Sequence, residues 1–114
     1  MLRIPKDRRP LVWLGGKIST PPFSSTARKE AGYYLGCVQD GELLSMPHSR
    51  AMPGIGHDCH ELRVRDAAAD WRIIYRIDPD AVLVVEIFRK KTPETPPRII
   101  GTCRTRLRSY DLNS

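Results

Sequence analysis

No apolar run in this chain approaches the roughly 18 residues that a membrane-spanning helix needs, so neither a span nor a membrane partner is expected. Cysteine is scarce too. Cys37, Cys59 and Cys103 are odd in number and scattered in spacing, which argues against a disulfide framework and for three reduced thiols. Met1 to Pro10 is charged and lacks the apolar core of a secretory signal, so the protein is expected in the cytoplasm. No internal repeat or low-complexity segment interrupts the chain.

What the chain has is arginine. Nineteen Lys and Arg against 13 Asp and Glu give a net charge of +6, and 14 of those cations are arginine. Arginine stays protonated near neutral pH and carries a planar fork that matches phosphate oxygens, so the bias points to a polyanionic partner. A length of 114 residues, 40% of them hydrophobic, suits one domain with a modest core.

Met1 to Pro10 reads as a flexible basic arm, with the folded part from about 11 to 110. Leu11 to Leu14 is a short apolar run closed by Gly15 and Gly16, as in a first strand. Pro21 and Pro22 mark a loop, after which Ser24, Ser25 or Thr26 offers an N-cap. From Ala27 to about Gln39, the residues Ala27, Ala31, Tyr34, Leu35 and Val38 recur at helical steps, and Asp40-Gly41 ends the run. Residues 42 to 57 contain Pro47, Pro53, Gly54 and Gly56 and read as a loop.

Glu61 to Arg65 alternates, as does Trp71 to Ile77, with a connection of hairpin length between them. Asp78-Pro79-Asp80 is a second turn. Val82 to Phe88 is apolar on both faces, as in a central strand. Thr95 then reads as the N-cap of a last helix running from about Pro97 to Tyr110, with Ile100, Cys103 and Leu107 as its buried stripe. The expected fold is α+β: a small twisted antiparallel sheet of about four strands, packed with a helix from the first half and a C-terminal helix.

The first hairpin carries the chemistry. Pairing Arg65 with Asp70 sets Val64 opposite Trp71 and Leu62 opposite Ile73, an all-apolar face that must be the core. The same register sets Arg63 opposite Arg72, with Arg76 further along the same side. Like charges opposed across strands are destabilising, a cost tolerated where an anion is to be bound. Arg65–Asp70 is by contrast an ordinary cross-strand ion pair. Arg89, Lys90 and Lys91 follow the next strand. Depending on the length of the second turn, Phe88 and Lys90, or else Arg89, share the face of Arg72.

His57, Asp58, Cys59 and His60 are metal-type ligands, and His48 and Cys37 are possible supplements. Neighbouring residues on a strand point to opposite faces, however, so Cys59 and His60 are a poor ligand pair and no metal is expected. Trp71 and Tyr75 fall on the core face and are read as packing residues.

The order of these features resembles the RelE/HigB superfamily of type II toxin–antitoxin toxins, in its phage-derived HigB-like branch. The pattern is a Gly-containing loop (MPGIG), then ELR on a strand, WRIIY on the next, an apolar strand ending in FRKKT, and a proline-opened helix. The resemblance implies a RelE-like fold and a metal-free, cofactor-free ribonuclease that cuts mRNA in the ribosomal A site. In that chemistry the RNA 2′-hydroxyl attacks the adjacent phosphate, leaving a cyclic phosphate and a 5′-hydroxyl. It also implies neutralisation by a helix-turn-helix antitoxin, with operator DNA reached only through that complex.

Carried over position by position, Arg72 matches the arginine that contacts the scissile phosphate, and Arg63 a basic residue of the preceding strand. Lys90 and Lys91 match the basic pair that touches the transition state or leaving group. Glu61, lysine in RelE-type sequences, is implied as a base or as an orienter of Arg63. Arg65, Arg76, Arg89 and His60 are expected as RNA contacts. RelE-type chains bear a tyrosine base near the C-terminal segment, but Pro96 and Pro97 stand there. Glu61, His60 and Tyr110, in that order, remain the candidates for the base. A second reading keeps the fold but not the nuclease: a ParE-like gyrase poison, or a degenerate toxin regulating transcription with its antitoxin.

Overall fold

The computed structural model describes residues 8–15, 23–67 and 69–113. Its elements run β1 (Leu11–Trp13), α1 (Ser25–Gln39), β2 (Ser49–Ala51), β3 (Cys59–Asp66), β4 (Ala69–Ile77), β5 (Val82–Arg89) and α2 (Pro97–Leu112). The fold is α+β, with one five-stranded sheet in the order β1-β5-β4-β3-β2. Two details differ from the sequence expectation. The sheet is mixed, because β1 lies parallel to β5 while the other pairs are antiparallel. A fifth strand, β2, also emerges from the proline-rich stretch read as loop.

Both faces of the sheet are covered. Ala27, Ala31, Leu35 and Val38 of α1 pack on Leu62, Val64, Ile73, Tyr75, Val82 and Val84. On the other face Ile99, Cys103 and Leu107 of α2 pack on Cys59, Ile74, Leu83 and Val85. This is why β5 is apolar on both sides and is fully buried from Val82 to Val85. The α2 stripe includes Ile99, with Ile100 only partly buried beside it.

Local chemistry sets the helix ends. The Ser24 side chain accepts from the Ala27 N–H and caps α1, and Gly41, at φ +96°, follows its last turn. The Ser24 N–H in turn donates to Asp66 Oδ2 at 2.8 Å, tying α1 to the end of β3. Helix α2 has no side-chain cap, and the Thr95 hydroxyl is turned inward instead. Of the expected flexible arm, residues 1–7 lie outside the described residues. Arg8 and Arg9 are held: Arg9 exchanges hydrogen bonds with Gln39, and Arg8 pairs with Asp40 at 3.2 Å. Gly16, Pro21 and Pro22 also lie outside the described residues.

The first hairpin has the expected register, with Arg63 opposite Arg72 and Arg65 opposite Asp70. Four residues, 78–81, separate the paired Ile77 and Val82 of the second hairpin. Further along, Tyr75 pairs with Val84 but Ile74 pairs with Glu86, so Val85 is bulged out. The Arg106 guanidinium of α2 donates to the Val85 carbonyl at 2.8 Å and meets Glu86 at 3.2 Å, which supports the bulge. The net result sets Phe88 opposite Arg72 and Arg89 opposite Trp71.

Candidate active site

Odd-numbered residues of β3 from Cys59 to Arg65 and even-numbered residues of β4 face α2, by the two-residue period of a strand. Glu61 and Arg63 on β3, and Asp70 and Arg72 on β4, therefore share a side. Helix α2 packs on β5 at the other end of that face, and the chain between β5 and α2 doubles back over β4. Arg63, Asp70, Arg72, Lys90, Lys91, Thr92 and Pro93 line the resulting cleft, about 330 Å³ in volume. Four cations expected from sequence thus stand around one small, polar cavity.

Beneath them lies Glu61, with no exposed surface. Its Oε2 accepts from Thr95 Oγ1 at 2.7 Å. Its Oε1 is 3.2 Å from Arg50 Nε, 3.5 Å from Lys90 Nζ and 3.6 Å from Arg72 Nε. A carboxylate is buried at this depth only when its charge is matched and its lone pairs are used. Here three cations and a hydroxyl meet both needs, and the same contacts fix Arg72 and Lys90 in place. With both oxygens engaged and no solvent access, Glu61 organises the cations.

The cations bear the cost of crowding. Burial, aided by the facing Arg63, holds the Arg72 guanidinium below its ordinary range, with Glu61 opposing the shift. Burial likewise lowers Lys90, again against the pull of Glu61. The Nε atoms of Arg63 and Arg72 are buried without a hydrogen-bond partner. Arg72 Nη1 donates to the Trp71 carbonyl at 3.1 Å, and the Arg63 backbone N–H donates to the His48 carbonyl at 2.8 Å. Fixed, under-satisfied donors around a polar cleft are suited to an oxyanion with several acceptor oxygens.

The remaining sequence candidates lie elsewhere. His60 is on the α1 face, stacked on Tyr75 with ring centroids 5.3 Å apart, because it alternates with Glu61. Burial lowers its pKa. Arg89 shares the α1 side with Trp71, so the bulge gives the cleft to Lys90 instead. Arg76 is on the α2 side, but Asp78 at 2.7 Å and Asp111 at 2.7 Å hold it at the far end of the strand. Arg65 is exposed at the outer end of β3, and among the described residues no ion pair joins it to Asp70. Tyr110 packs on the α2-side core rather than lining the cleft.

Sequence reasoning missed Arg50, Thr95 and the orientation of Asp70. A three-residue strand is too short to show a period, and a threonine before two prolines reads as a cap. The usable signal was Glu61 itself, an acid among cations on a strand, which calls for donors from other segments. Cys59 and His60 do face opposite ways, and the three cysteines are free thiols.

No curated protein and no solved structure matches the chain. The sequence pattern of one family matches residues 22–108, from just before α1 into the penultimate turn of α2. With that much of its length accounted for, the chain belongs to the phage-derived Gp49-like protein family (DUF891).

Proposed function

We propose that this protein is the toxin of a type II toxin–antitoxin system and acts as a ribosome-dependent mRNA endoribonuclease. The observation that carries the reading is the convergence of Arg63, Arg72, Lys90 and Lys91 on one polar cleft above the buried Glu61. Attack of a 2′-hydroxyl on the neighbouring phosphate gathers negative charge on the non-bridging oxygens. Guanidinium and ammonium donors already fixed around that position stabilise it without reorganising. Membership of a phage-derived family fits a mobile toxin module. The natural counterpart is a small helix-turn-helix antitoxin that binds the chain and carries the pair to operator DNA.

Inducing the protein in growing cells and mapping the 5′ ends of cellular RNA tests the reading. Translation should stop and new 5′-hydroxyl ends should accumulate within coding regions, and Arg72→Ala should abolish both. Growth arrest with intact mRNA and DNA damage would overturn it in favour of a gyrase poison.

A further inference from the structure

We propose that Asp70 is the general base of this cleft, an assignment that rests on the ribonuclease reading above. Proton removal from a 2′-hydroxyl requires an accessible acceptor beside the phosphate. Glu61 is buried with both oxygens engaged, His60 is on the opposite face of the sheet, and Tyr110 does not line the cleft. Asp70 is the one carboxylate among the described cleft-lining residues, and it is exposed.

Three observations set Asp70 apart from an ordinary surface acid. Its direct cross-strand neighbour is Arg65, yet the two form no ion pair, so the carboxylate is left to the cleft. Its backbone carbonyl accepts the Lys90 N–H at 2.8 Å, which locks its position relative to the lysine end of β5. Its charge acts on Arg72, two residues along the same strand and face. An acid on the wall of an anion-binding cleft weakens ground-state binding, a local cost that proton transfer would justify.

In the step proposed, an Asp70 carboxylate oxygen takes the 2′-hydroxyl proton as the 2′-oxygen bonds to phosphorus. The bond from phosphorus to the 5′-oxygen then breaks, and that oxygen leaves with a proton from the Lys91 ammonium. The products are a 2′,3′-cyclic phosphate and a 5′-hydroxyl. Solvent afterwards moves the proton from Asp70 back to Lys91, so nothing is oxidised and no co-reactant is consumed.

The test is single-turnover cleavage of mRNA on programmed ribosomes, paired with binding of an RNA that carries a 2′-deoxy sugar at the cleavage position. Asp70→Asn should slow cleavage about 100- to 10,000-fold, the range for a lost general base, with binding unchanged or slightly tighter. Asp70→Glu should recover at least part of the rate. Should the asparagine variant fail to fold, Asp70→Ser repeats the measurement. Cleavage at the normal rate, or a loss confined to binding, would overturn the assignment while leaving the ribonuclease reading intact. An unaltered chain that leaves mRNA whole would defeat the ribonuclease reading, and this proposal with it.

Discussion

Thr95, at the end of the connection into α2, donates its hydroxyl to Glu61 on β3 at 2.7 Å, across the width of β4. That bond lies beneath the cleft and helps keep the carboxylate dry, so Glu61 is a fixed negative charge around which the cations are arranged. Glu61→Gln removes the charge at nearly constant shape. It should destabilise the fold by about 3 kcal/mol, the low end for breaking a buried pair because Arg50 is partly exposed. Urea denaturation measures it, and an unchanged midpoint would mean that the cations do not depend on Glu61.

Arg63 should behave in the opposite way. Its charge opposes Arg72 across the hairpin, and its Nε is buried without a partner. Arg63→Met keeps the aliphatic stem and removes both costs, so stability should hold or rise by up to about 1 kcal/mol. RNA affinity should fall at the same time, with a shallower dependence on salt because one phosphate contact is lost. A variant that loses stability and keeps affinity contradicts this account of the cleft.

Arg72→Lys preserves the charge but not the planar fork. Cleavage should remain depressed about 100-fold or more, comparable to removing one oxyanion donor. Recovery to within a few-fold of the normal rate would show that a point charge suffices.

His60 gives a pH dependence distinct from catalysis. Burial lowers its pKa from 6.5, so the unfolded chain takes up the proton more readily than the folded one. The stability contributed by neutral His60 is therefore present above pH 6.5 and is lost as the pH falls through the lower folded value. Urea midpoints compared at pH 7.5 and pH 5.5 should fall on acidification, and His60→Phe should flatten that part of the change.

The hairpin of β3 and β4 was legible because its apolar pairs allow only one register, and that register also specified the opposed arginines. Both helices and most of their buried stripes were likewise readable from spacing, except that α2 buries Ile99 more fully than the expected Ile100 and α1 leaves Tyr34 partly buried. The short strand β1 was also readable as an apolar run closed by glycine, but its parallel pairing with β5 and the whole of β2 were not, since these depend on the partners they line up against. His60 and Arg89 lie off the cleft face for different reasons. His60 alternates with Glu61 and so turns to the α1 side, against Tyr75. Arg89 depended on a bulge that no local pattern announces, since Val82 to Val85 are all apolar and buried. Thr95 and Arg50 come from other segments of the chain, 34 and 11 residues from Glu61, and only the three-dimensional need of Glu61 explains them.

The Val85 bulge works as a counting device. Were β5 to run straight, with Val85 paired to Ile74, its outer half would shift by one step, so that Arg89 would face the cleft and Lys90 would turn toward the Trp71 side. Glu61 would lose one of its three cations, although no cleft residue had been substituted. The identity of the group delivered to the cleft is thus set by the bulge as much as by residue type. A deletion at Val85 that removes the bulge should therefore be tolerated by the cleft, whereas one between Glu86 and Arg89 that keeps the bulge should disrupt it.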